Sequence, residues 1–210
     1  MGVVSVQPSR RSGIAAVLSV LLAVVVGAAI GAIYLVRLPV AAGPELLGSG
    51  EGDLRPSAYG TFQTPGEHFT DASTTVTLTA DKIVIESIDV PLSGGDLRLV
   101  GPPLLARMRP GAAALDTLPG FPPDGARLNG YKVSSPVAAA GAPLTIPAGQ
   151  RTVSFVILIG LEMTGPGRAV RLGPTITYHV PGEWRPRRLR LSPVLAVCAP
   201  PPVSYAERCR

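Results

Sequence analysis

Apolar and polar positions fall into three regimes along the chain. Gly13 to Val36 reads GIAAVLSVLLAVVVGAAIGAIYLV, 24 residues without a charge. As a helix it spans about 36 Å, enough for a hydrocarbon core of roughly 30 Å. Residues 37–70 keep neither a 2.0 nor a 3.6 period, and GPELLGSGEGDLRPSAYG predicts a flexible stalk. Beyond residue 71 the period becomes two.

Thr75 to Ala80 sets Val76, Leu78 and Ala80 on one side against threonines on the other, a half-buried strand. Ile83 to Leu92 continues, but Ile83 and Ile85 share one face while Ile88, Val90 and Leu92 share the other. A one-residue slip would expose one set, and a bulge near Glu86–Ser87 repairs it. Ser93 to Asp96 is a turn before Leu97 and Leu99. Thr152 to Ile159, TVSFVILI, is apolar on both faces and predicts a central strand between two layers, with Phe155 and Ile157 in the core. Strands follow at Ala169–Leu172, Thr175–Val180, around Leu189 and Leu191, and at Val194–Cys198. Short strands between Gly/Pro turns predict an antiparallel β-sandwich. Gly101 to Pro147 shows little periodicity, with short edge strands expected near Leu104 and Tyr131–Val133.

The expected organisation is therefore a cytoplasmic tail (1–12), a transmembrane helix (13–36), a stalk (37–70), an extracytoplasmic sandwich (71–199) and a C-terminal tail (200–210). Arg10 and Arg11 before the apolar run place the N-terminus inside a plasma membrane, crossed once. The competing reading is a cleaved signal peptide ending near Val40–Ala42, but the apolar run exceeds the usual 7 to 15 residues. Ala23, Gly27 and Gly31 are small residues four apart, which lets two such helices approach as a weak homodimer. Frequent Ala and Gly explain the same pattern without pairing.

Composition sharpens this picture. Gly 24 and Pro 23 favour loops and short elements. The net charge of +5 is uneven. Residues 43–100 carry nine acidic and three basic side chains, whereas 183–210 carry six basic and two acidic. With most of the chain expected outside, nucleic acid is not the expected partner. The lipid bilayer, an envelope protein or an anionic polymer are.

The segment LEMTGPGRAVRLGPTITYHVPGEWRPRRLRLSPVLAVC resembles membrane-anchored hypothetical proteins of high-GC actinobacteria through Gly173, Tyr178, Gly182 and Cys198. The resemblance covers the last quarter of the chain. It implies an extracytoplasmic immunoglobulin-like domain without catalytic residues to carry over.

Candidate chemistry is sparse. His68 falls in the stalk and His179 on a polar strand face. HExxH, CxxC, GxSxG and phosphate-loop patterns are missing from the sequence, so no metal or cofactor is expected. Asp116 and Asp124 flank LPGFPP as solvated loop charges, with a carboxylate pair as the rarer alternative. Cys198 and Cys209 predict a disulfide closing a short loop, against the alternative of free thiols. Arg185, Arg187, Arg188 and Arg190 crowd beside Trp184. Alternation of Arg188 and Arg190 with Leu189 and Leu191 predicts a wet strand face. Tryptophan beside arginine equally suits an anion or partner contact. The expected function is a non-enzymatic tethered binding or structural module of the cell envelope. An envelope hydrolase with a site in the 101–147 loop is the alternative.

Overall fold

The computed structural model describes residues 22–28, 38–48, 58–113 and 115–199. Two compact units divide the chain, Met1–Leu38 and Pro39–Arg210. In the first, residues 22–28 are helical.

In the second unit, sixteen described strands form three sheets. The central sheet is built on β12 (Val153–Met163) and β4 (His68–Leu78), antiparallel partners from Val153↔Leu78 to Glu162↔His68. Shorter strands flank each half of this pair. β12 takes β8 (Leu104–Arg107) and β7 (Leu97–Leu99), while β4 takes β2 (Leu46–Gly48) and β9 (Thr117–Pro119). β10 (Val137–Ala138) closes one edge against β8. A second sheet runs β1 (Val40–Ala41), β15 (Arg187–Arg190), β14 (Thr175–His179), β5 (Lys82–Asp89) and β11 (Pro143–Thr145). The third runs β3 (Ala58–Phe62), β16 (Val194–Ala199), β13 (Gly167–Arg171) and β6 (Leu92–Ser93).

One face of the central sheet packs on the other two. Phe155, Ile157, Ile159, Leu161 and Met163 meet Ile83, Ile85, Ile176, Tyr178, Leu189, Leu195 and Val197 in one core. The opposite face is covered too. Val156 and Leu158 pack with Ala72, Ala106, Leu115, Leu118, Leu128 and Val133. Two covered faces are the reason β12 is apolar throughout. The second cover comes from the aperiodic segment, including α1 (Gly125–Gly130), whose Ala126 N–H donates to Asp124 Oδ1 at 3.0 Å. Phe121 lies over Gly160, where any Cβ would overlap its ring.

Two bulges set the faces. Opposite Thr177–Tyr178, β5 passes from Ser87 to Ile85 and leaves Glu86 unpaired, where the parity shift predicts it. In β4, the register passes from Ile157↔Thr74 to Ile159↔Asp71, so β4 carries one residue more than β12. That extra residue brings Phe69 and Asp71 to the face of Val76 and Leu78 and turns Ala72 to the second core.

Several expectations need correction. No helix among the described residues is long and apolar enough to cross a membrane. The described helical stretch, 22–28, is about 10 Å long at 1.5 Å per residue, a third of a hydrocarbon core. A fold class with an N-terminal transmembrane helix is therefore overturned, and the rest of 13–36 lies outside the described residues. The mainly β sandwich stands. The stalk expected over 37–70 instead supplies β1, β2, β3 and the start of β4. These strands escape the periodicity because most are only two to five residues long. The sheets are also not wholly antiparallel, since β1 joins β15 and β3 joins β16 in parallel.

Candidate functional site

The arginine-rich stretch forms a turn and the strand β15 after it. Leu189 and Leu191 enter the core, and Arg188 and Arg190 face solvent, as the alternation predicts. Across the sheet Arg188 stands beside Ala41 and Thr177, and Arg190 beside Thr175. Arg187 behaves differently. Its Nε and Nη2 donate to Glu183 at 2.9 and 2.7 Å, and Nη1 lies 3.2 Å from Glu45. This pairing, together with backbone bonds from Val40 N to Pro186 O and Ala42 N to Arg188 O, binds the β1 segment to β15. The Arg187 hydrogen bond holds the Glu183 carboxyl below the ordinary glutamate range and raises the guanidinium in turn. Arg185, Arg188 and Arg190 have no carboxylate partner among the described residues. Trp184, at the turn, is 81% exposed. So Trp184 and Arg185 lie exposed in the turn, Arg188 and Arg190 lie exposed along β15, and Arg187 is bonded internally.

The other sequence candidates are dispersed. Asp124 caps α1, while Asp116 sits near Asp71, so the two do not form a carboxylate pair. His179 Nε2 faces Glu86 at 3.3 Å. His68 Nε2 lies 3.0 Å from Glu162, which Arg98 also holds. The Arg98 hydrogen bond keeps the Glu162 carboxyl below its ordinary range. Cys198 is buried in β16 and is not a free thiol, while Cys209 lies outside the described residues. Ala23 and Gly27 lie exposed on the helical stretch, and Gly31 lies outside the described residues. No group of three His, Cys, Asp or Glu suited to a metal occurs among the described residues.

Three features lack any sequence signal. The first is a buried pair: Arg171 Nε donates to Asp71 Oδ2 at 2.7 Å, with both side chains fully buried. Arg171 also donates to Pro193 O and to the Ser73 hydroxyl. Only the β4 bulge turns Asp71 inward, and 100 residues separate it from its partner. The second and third are neighbouring clefts lined by the aperiodic segment. One, of about 480 Å³, is lined by Met108, Arg109, Gly111, Gln150 and Arg151 among others. The other, of about 490 Å³, lies over Leu105, Leu144 and Phe155. Arg107 Nη2 donates to Gln150 Oε1 at 3.1 Å and so joins their walls. Neither lining contains an Asp, Glu, His or Cys.

No protein-family model matches the chain, and no curated protein matches it. Among solved structures it is similar to the ASH / PapD-like domain of human CEP192 (PapD-like domain 7). That likeness has 13% identity over 77% of this chain and 90% of that one, with a TM-score of 0.30. It is also similar to the CooA pilin subunit from enterotoxigenic Escherichia coli, at 13% identity over 75% of this chain and 98% of that one, with a TM-score of 0.30. Scores this low carry nothing across about function.

Proposed function

We propose that the chain is a non-enzymatic binding or structural module that meets an acidic partner through Trp184, Arg185, Arg188 and Arg190. One observation carries this reading: a tryptophan 81% exposed in the turn before β15, with Arg185 next to it and Arg188 and Arg190 exposed along that strand, none of the three neutralised by a described carboxylate. Tryptophan and arginine concentrate binding energy at interfaces, because each brings a large contact area and the guanidinium adds directed hydrogen bonds. The envelope proteins and anionic polymers expected from the sequence share the acidic chemistry this face would meet.

A second reading has its own support. Thr175 and Thr177 stand beside Arg190 and Arg188, as they would on a strand face that is merely solvated. Binding of the full chain to immobilised polyglutamate separates the two. The acidic-partner reading requires binding that falls steeply with salt, as screening shortens from about 10 Å at 0.1 M to about 3 Å at 1 M. It also requires loss of binding in Arg185→Gln/Arg188→Gln/Arg190→Gln, with the melting temperature nearly unchanged. Arg187 stays in place because it holds β1. Equal binding by the wild type and the triple variant leaves the solvated face.

A further inference from the structure

The cleft over Phe155 differs in chemistry from the arginine face. It lies between β8 and β10 of one sheet and β11 of the other, beneath the chain that crosses between them. That crossover reads VAAAGAPL, so Ala138, Ala140, Gly141 and Ala142 wall the groove with little side-chain volume. Its size of about 490 Å³ is within the range of small-molecule sites, roughly 300 to 1,000 Å³. Most of the floor and walls is hydrocarbon, with Arg107, Ser134 and Ser135 as the polar members, so the body of a fitting ligand is apolar.

Arg107 is the exception. It stands directly opposite Phe155 in the β8–β12 register and, two residues from Leu105, projects from the same core-facing side of the sheet. It is the only charged residue in the lining, and no described carboxylate pairs with it. Its Nη2 already donates to Gln150 Oε1 at 3.1 Å, whereas its Nε is buried without a hydrogen-bond partner. Ser134 does not answer it, because that hydroxyl already accepts from Arg107 N at 2.9 Å and donates to Ser135 O. A guanidinium held at the end of an apolar groove calls for a planar anion at the end of an apolar body.

We infer that this groove binds an unbranched aliphatic chain ending in a carboxylate, with the chain over Phe155 and Leu144 and the carboxylate on the Arg107 guanidinium. The site is independent of the Trp184 face.

Octanoate, octanol and octylamine serve as probes against the full-length chain, followed through methyl resonances. Octanoate is expected to shift Leu105, Leu144, Ala138 and Ala140 saturably, with octanol weaker and octylamine weakest. Arg107→Gln should weaken octanoate by about tenfold or more, the loss typical of one charge-assisted hydrogen bond, and leave octanol unchanged. Ala140→Leu changes an exposed residue of the wall, so folding should persist while binding of both probes is lost. Equal affinity of octanoate for the wild type and Arg107→Gln overturns the assignment. So do shifts that never saturate, or that gather at Trp184. Aggregation of Arg107→Gln without wild-type binding of octanoate would identify Arg107 as an inward charge protecting the β10 edge, and would also overturn it.

Discussion

At the scale of single residues, the Asp71–Arg171 pair is the most demanding feature of the interior. Two buried charges are tolerable only when paired and fully hydrogen-bonded, and here Ser73 and Pro193 O complete the set. Arg171→Met leaves Asp71 buried and unpaired, and should cost about 3 to 5 kcal/mol in urea unfolding. Replacing both partners with apolar residues should recover most of that loss. Recovery that fails would show that the hydrogen bonds to Ser73 and Pro193 matter more than the charge pairing. Asp116 feels the same neighbourhood: burial, then the Asp71 charge, raise its carboxyl above the ordinary aspartate range. A raised acid contributes stability that is complete below its unfolded value and is lost as pH rises through the folded value. Asp116→Asn should therefore be at least as stable as the wild type at neutral pH, with the difference vanishing in acid. Melting temperatures measured across that range check the sign. Gly173 shows how a single position limits substitution, because a Cβ there would overlap the Leu191 carbonyl.

At the scale of elements, β12 carries the fold, and its two faces make separate predictions. Phe155→Ala opens the main core and should cost about 3 to 5 kcal/mol, while Leu158→Ala opens the second core and should cost about 2 to 5 kcal/mol. A loss below about 1 kcal/mol for Leu158→Ala would mean that the aperiodic segment does not hold its place against the sheet. β12 is legible in the sequence because burial on both faces leaves an unbroken apolar run. The Glu86 bulge is legible because parity must change where a strand keeps one face inward. The cover over Val156 and Leu158 is not, since it is held by isolated contacts at Leu115, Leu118, Leu128 and Val133 with no repeating period. β1 and β2 are hidden for a related reason: strands of two or three residues are too short for alternation to register. At the site, the free Arg188 and Arg190 follow from alternation with leucine. The capture of Arg187 is local on one side, through Glu183 four residues before it, and distant on the other, through Glu45, 142 residues away, which only the fold brings near.

At the scale of the whole molecule, the last strands hold the first. β15 receives β1 in parallel and β16 receives β3, while Cys198 lies in the same β16. If Cys198 and Cys209 are bridged, thiol alkylation of unreduced, unfolded protein should label neither cysteine, and reduction should expose both. Label on Cys198 before reduction would exclude the bridge. The parallel closure also governs how the chain is made. When residues 40–62 leave the ribosome, the strands β1 and β3 will pair with do not yet exist. At about 5 to 20 residues per second, their partners follow on the order of ten seconds later. For that interval the early strands present unsatisfied backbone edges to whatever is nearby, and nascent chains halted before residue 187 should be captured by chaperones far more than chains halted after an added tail has let residue 199 emerge.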